Sequence, residues 1–128
     1  MGSGAGPTQL WAGRTFHDNL PDLANKYKLS TAGYFGSKST RSKHVRIIES
    51  DNPAKTAFEF QSLAGNNPSA FKVIESGKGH VMRMRDGTII TYRRYSSSDG
   101  TPVVELTLVS APGVKNQKIH FVKKGQQA

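Results

Sequence analysis

The sequence predicts an α+β fold in which N-terminal helices pack on a twisted antiparallel sheet of four to five strands. Helical spacing of apolar residues is confined to the first half of the chain. From Phe71 onward, apolar and polar residues alternate, and short turns separate the alternating runs. Strands do not alternate with crossover helices, so the pattern does not predict a parallel sheet.

The chain has 128 residues, which is enough for one domain with a modest core. We expect a single domain over residues 1–128, with a leader at 1–10, a mainly helical part at 11–66 and the antiparallel sheet at 67–124. The leader lacks the charged and apolar parts of a signal peptide and is typical of a flexible leader or a cloning scar. No apolar run approaches the roughly 18–20 residues needed to cross a bilayer, so we expect no membrane span.

Two helices are predicted in the first half. Asn19 is the candidate N-cap of the first, with Pro21 in its first turn and apolar residues at helical spacing behind it. The second begins at Asn52-Pro53, where proline suits the first helical position, and ends at Gly65. Its apolar side chains, including Phe60, are expected to face the core.

Strands are also predicted at His44–Glu49, Val103–Val109 and Lys118–Val122, and apolar and polar residues alternate in the last two. The polar, basic segment 37–43 precedes the first of them. This segment is expected to be either a mobile loop that contacts phosphates or a solvated linker.

A hairpin is predicted where Lys78–Arg85 and Thr88–Tyr95 flank Asp86-Gly87, a two-residue connection suited to a type I′ turn. A tight turn here places His80 opposite Arg93 on the neighbouring strand.

The charge of the chain points to its partners. Eighteen Lys plus Arg against nine Asp plus Glu give a formal net charge of +9, which favours a polyanion, with nucleic acid as the leading class. No cysteine is present, which excludes disulfides and thiolate catalysis. Phosphate-binding GxxxxGK[S/T], dinucleotide-binding GxGxxG and zinc-binding HExxH motifs are missing, so no cofactor and no metal are expected.

RNA cleavage without a metal needs a base for the 2′-hydroxyl, an acid for the leaving 5′-oxygen, and fixed cations for the phosphorane. Imidazole suits proton transfer because its unperturbed pKa is about 6.5, and the guanidinium fork suits phosphate. Four residues are therefore the catalytic candidates: His80, Arg93, His120 and Thr91. His80 and His120 are expected to share the acid and base roles, and they rank above His44 and His17.

Further residues of the basic hairpin are candidates for RNA or phosphate binding: Lys78, Arg83, Arg85, Tyr92, Arg94 and Ser98. Each also has a plain structural interpretation. The histidines could be buried in the sheet, the arginines could form a solvated strand face, and Tyr92 could pack on its neighbours.

The runs 79–93, 97–98, 102–104 and 118–121 together resemble C-terminal toxin domains of bacterial polymorphic and contact-dependent growth inhibition systems. The resemblance covers roughly residues 70–123. It implies a barnase/EndoU/colicin/RelE-like ribonuclease fold that cleaves RNA, often tRNA. It also implies delivery from a bacterial cell as part of a larger effector, action in the cytoplasm of the target cell, and a cognate acidic immunity protein.

Taken together, the residues and the resemblance predict a monomeric, metal-independent endoribonuclease toxin that acts on tRNA. The alternative is a non-catalytic, basic nucleic-acid-binding module in which the same hairpin follows the phosphate backbone. A structural, virion-associated protein is a third interpretation.

Overall fold

A computed structural model describes residues 13–96, 100–109 and 113–125. These residues form two helices and one seven-stranded sheet. The helices are α1 (Phe16–Lys26) and α2 (Pro53–Ala64). The strands, in chain order, are β1 (Ser37–Lys38), β2 (Val45–Ser50), β3 (Ala70–Ile74), β4 (Gly79–Arg83), β5 (Ile89–Arg93), β6 (Val103–Thr107) and β7 (Gln117–Lys123).

The sheet is mixed, and its strand order is β1-β2-β7-β6-β5-β4-β3. β2 runs parallel to β7, from Val45 opposite Lys118 to Ser50 opposite Lys123, and every other pair is antiparallel. The predicted fold, N-terminal helices on an antiparallel sheet of four to five strands, is therefore wrong. α2 carries the chain from β2 to the far edge of the sheet, and β7 later returns to lie beside β2.

The first helix begins earlier than predicted. Thr15 is its N-cap: the Asp18 N–H donates to Thr15 Oγ1 at 2.9 Å, and the Thr15 N–H donates to Asp18 Oδ2 at 3.0 Å. Asn19 is buried inside the helix, and its amide donates to the carbonyl oxygens of Ala64 and Asn66 at 2.9 and 3.0 Å. Asn19 thus ties α1 to the end of α2 instead of capping α1.

The cap makes the stability of α1 depend on pH. Hydrogen bonds from the Thr15 backbone and hydroxyl hold the pKa of Asp18 below its ordinary 3.8. Because this pKa is lower in the folded state, the carboxylate stabilises the protein at neutral pH, and the contribution is lost as the pH falls from about 4 through the lowered pKa. We expect Asp18→Asn to lower the urea midpoint at pH 7 but to have little effect near pH 2.

Asp22→Asn, which removes a charge from the same helix outside the cap, is the matched control and should show no such difference between the two pH values. An equal loss for Asp18→Asn at both pH values would contradict the assignment of the cap.

The second helix agrees with its predicted bounds. Pro53 starts it behind the N-cap Asn52, and Gly65 follows its last residue. Phe60 is fully buried and contacts the rings of Tyr27, Phe35 and Phe121, with centroids 5.0, 5.2 and 5.7 Å away. The helices therefore cover one face of the sheet, on which Tyr92, Val104 and Ile119 also lie in the core; we call it the helix face.

The hairpin between β4 and β5 differs from its prediction by one residue. The Met84 N–H donates to the Thr88 carbonyl at 2.8 Å, so the loop has three residues and ends at Gly87, whose φ is +89°. His80 therefore lies opposite Tyr92, not opposite Arg93. The Asp86 carboxylate stabilises this loop, because it accepts from the N–H of Thr88 at 3.0 Å and from that of Phe16 at 3.2 Å.

The other face of the sheet is covered by neither helix, and we call it the open face. One row across it runs from Thr91 through Glu105 to Lys118, and a second runs from Arg93 through Val103 to His120. Among the described residues, no helix is long and apolar enough to cross a membrane.

Candidate active site on the open face

The predicted catalytic residues are divided between the two faces. His80 lies on the helix face, stacked against Tyr92 with ring centroids 5.7 Å apart and next to Phe71 at 5.2 Å. Its Nδ1 is buried and has no hydrogen-bond partner among the described residues. Thr91 and Arg93 lie on the open face. The predicted convergence of His80 with these two residues is wrong, because a shift of one residue in register moves a side chain to the other face.

His120 lies on the open face in the same row as Arg93, with Val103 between them. The two residues are therefore about 10 Å apart, the spacing of two strand intervals. His120 is only 2% exposed, and its Nδ1 lies 2.8 Å from Thr101 Oγ1. This burial favours a structural role over contact with a phosphodiester.

Two predicted phosphate ligands and one predicted catalytic residue are brought together. Lys78, Arg93 and Arg94 line one cavity of about 330 Å³ at the end of β5. The Arg94 guanidinium lies over the ring of Tyr95, 5.6 Å from its centroid. The cavity thus offers cations and an exposed aromatic ring, the pair of features that binds phosphate and base.

The remaining predicted ligands are dispersed. Arg83 is exposed on the open face opposite Ile89, and Arg85 is exposed in the hairpin loop. Tyr92 is buried on the helix face, and this burial raises the pKa of its hydroxyl. Tyr92 is therefore a packing residue. Ser98 lies outside the described residues.

Glu105 is the residue that the sequence analysis missed. It is exposed in the middle of the open face, directly opposite Thr91 on one side and Lys118 on the other. Arg93 is its diagonal neighbour, because Arg93 pairs with Val103 two residues earlier in β6. Directly opposed and diagonal side chains of this kind lie within contact range.

The strands around Glu105 carry an excess of positive charge. From β3 to β7 the charged residues of the open face are Lys72, Arg83, Arg93, Glu105 and Lys118. The open face of these strands thus carries four cations and one carboxylate, with Lys118 and Arg93 as the cations next to Glu105. An excess of positive charge of this kind favours a polyanionic partner.

His44 is at the rim of the same region. It lines a cavity of about 350 Å³ together with Glu105, Thr107, Asn116 and Lys118. The parallel pairing of β2 with β7 brings it there, since the Lys118 N–H donates to the His44 carbonyl at 2.9 Å.

The imidazole ring of His44 is held by Tyr34. The Tyr34 hydroxyl lies 2.9 Å from His44 Nδ1, and the guanidinium of Arg46 lies 4.8 Å from the centre of the Tyr34 ring. Arg46 is itself fixed by donating to three backbone carbonyls, including that of Phe35 at 3.0 Å. A fixed Nδ1 leaves Nε2 as the nitrogen for proton transfer.

Comparisons of the chain with protein-family models, with curated proteins and with solved structures find no match. The resemblance to bacterial toxin domains therefore stays a prediction from the sequence.

Proposed function

We propose that this protein is a metal-independent endoribonuclease that binds RNA on the open face and cleaves it with Glu105 as the general base. One observation carries the proposal: Glu105 lies between Thr91 and Lys118, diagonal to Arg93, and shares a cavity with His44. With Glu105 as the proton acceptor, His44 as the proton donor and Arg93 and Lys118 as the cations, these residues would supply the set that transphosphorylation requires.

In this mechanism Glu105 accepts the proton of a 2′-hydroxyl, whose oxygen attacks the adjacent phosphorus. The bond from phosphorus to the 5′-oxygen breaks, and that oxygen takes a proton from His44. The products are a 2′,3′-cyclic phosphate and a free 5′-hydroxyl. Arg93 and Lys118 stabilise the charge that develops on the phosphorane.

The cavity of Lys78, Arg93 and Arg94 extends this site along the RNA. Arg93 belongs both to this cavity and to the surroundings of Glu105. A chain whose scissile phosphate lies at Glu105 would place a neighbouring phosphate against Lys78 and Arg94. This contact supplies the salt-dependent part of the affinity.

The resemblance noted from the sequence extends the proposal. We propose that the RNA is tRNA and that the protein acts as a monomer. We also propose that it is delivered from a bacterial cell within a larger effector, acts in the cytoplasm of the target cell, and is neutralised by a cognate acidic immunity protein. The net charge of +9 supports an acidic inhibitor that competes with RNA for the open face.

A second candidate function is a non-catalytic module that binds nucleic acid. It is favoured by the separation of His80 from Arg93 and by the burial of His120, which remove the histidine pair expected from the sequence. In this function the same cations bind the phosphate backbone and no bond is broken.

The two functions differ in one assay. We expect the purified chain to cut total tRNA in the presence of EDTA and to leave 2′,3′-cyclic phosphate ends, which primer extension and end-specific ligation detect. A 2′-deoxy substitution at the mapped site should stop cleavage, because it removes the attacking oxygen. RNA that stays intact but binds with a steep salt dependence would establish the binding module instead.

A further inference from the structure

The edge of the sheet formed by β3 exposes apolar side chains. Phe71 and Val73 are 52% and 55% exposed, and Phe58 of α2, beside them on the helix face, is 48% exposed. We call these three residues the β3 patch. Among the described residues β3 pairs with β4 alone, so its other edge is unpaired.

The backbone of β3 is able to accept another strand. The N–H of Met84, the residue after β4, donates to the Thr88 carbonyl. The even-numbered residues of β4 therefore direct their backbone groups to β5, and the odd-numbered ones direct theirs to β3. By the same alternation, the N–H and C=O groups of Phe71 and Val73 point outward from the sheet. These are the groups that a neighbouring strand uses.

The patch is held in place by aromatic packing. His80 lies between Phe71 and Tyr92, with centroids 5.2 and 5.7 Å from its own. Phe58 meets the rings of His80 and Tyr92 edge-on, at 6.0 and 6.2 Å. The exposed rings are thus supported from below, which reduces the entropy lost when a partner binds them.

We propose that the β3 edge receives a strand from an acidic partner protein, which extends the sheet by β-augmentation. Charge selects this partner: the chain carries +9, and Lys72 lies between Phe71 and Val73 on the opposite face of the strand. The incoming strand places apolar residues beside Phe71 and Val73 and a carboxylate beside Lys72.

A second copy of the chain fits this edge less well. Two copies would bring together two net charges of +9, and the symmetric register centred on β3 would set Lys72 against Lys72 of the other copy. The partner surface is also separate from Glu105, so the inference goes beyond the proposed function and holds whether or not RNA is cleaved.

The test uses the full chain and two synthetic peptides as probes, one alternating valine with glutamate and the other valine with lysine. We expect the glutamate peptide to bind at least about tenfold more tightly than the lysine peptide. When bound, it should slow amide exchange at Phe71 and Val73 by about tenfold. NMR titration and hydrogen exchange measure both effects.

Val73→Pro removes an outward N–H without touching the ladder to β4, and it should abolish peptide binding; Val73→Thr keeps the N–H and should bind normally. Phe71→Ser, which removes the exposed ring, serves if the proline variant does not fold, and it should weaken binding. Equal affinity for both peptides, or unchanged exchange at β3, would overturn the proposal.

Two other occupants give distinct results, and either one overturns the proposal. A dimer in sedimentation that Val73→Pro dissociates would identify a second copy. A red shift of Trp11 emission in Phe71→Ser, without peptide binding to the native chain, would identify the N-terminal segment, since Trp11 is the single tryptophan and lies outside the described residues.

Discussion

Replacing Glu105 by glutamine is expected to lower the rate of RNA cleavage by about 10²–10⁴-fold, the contribution of a well-placed general base. The amide keeps the shape of the side chain but does not take the proton of a 2′-hydroxyl. RNA binding should become tighter by a few-fold, because the substitution removes the single carboxylate among the four cations of the open face from β3 to β7. A slower reaction with tighter binding separates a catalytic role from a structural one.

Single-turnover cleavage of a mapped tRNA site and a separate binding titration measure the two quantities. Glu49→Gln is the matched control, since Glu49 is an exposed glutamate near the far end of β2. It should tighten binding slightly and leave the rate unchanged. A Glu105→Gln protein that cleaves within twofold of the native rate would remove Glu105 from the mechanism, even if RNA cleavage itself is confirmed.

The parts of the fold that could be predicted from the sequence are those fixed by local chemistry. α2 has its bounds marked by Asn52-Pro53 and Gly65, and the structure follows them. The start of α1 was also marked, by Thr15 and Asp18, but Asn19 with Pro21 behind it was the more conspicuous candidate. Asn19 is used in tertiary packing instead, which local spacing does not indicate.

The sheet could not be predicted to the same extent, because its pairings are not local. β2 and β7 are far apart in the chain, and only the path of α2 to the opposite edge explains why they lie parallel. β1 and β3 were missed because one has two residues and the other exposes nearly all its side chains. β1 is too short to show an alternation, and β3 lies in the alternating part of the chain but was not predicted as a separate strand.

At the candidate site, one wrong turn length changes the predicted position of several side chains. The sequence predicts a two-residue turn at Asp86-Gly87, but the loop has three residues. In this loop the Asp86 carboxylate accepts hydrogen bonds from the N–H groups of Thr88 and Phe16. The register moves by one residue, so Tyr92 lies beside His80 on the helix face, while Thr91 and Arg93 lie on the open face. Glu105 was visible only as the outward residue of an alternating strand, and no local pattern placed His44 beside it.

Phe60→Ala is expected to cost about 3–5 kcal/mol of folding free energy, the range for removing a buried aromatic ring. Phe60 is completely buried and joins α2 to Tyr27, Phe35 and Phe121, which come from three separate parts of the chain. These three rings would border the cavity that the substitution leaves. Urea or thermal unfolding measures the loss.

Phe58→Ala on the same helix is the matched control, because it removes an equal ring that is 48% exposed. It should cost about 1 kcal/mol or less, since only its edge contacts with His80 and Tyr92 are lost. A domain of this size has a stability of about 5–15 kcal/mol, so Phe60→Ala removes a large part of it while Phe58→Ala does not. Equal losses of folding free energy for the two variants would mean that α2 does not bury Phe60 against the sheet. The helices would then not cover the helix face, and the assignment of the open face would be wrong.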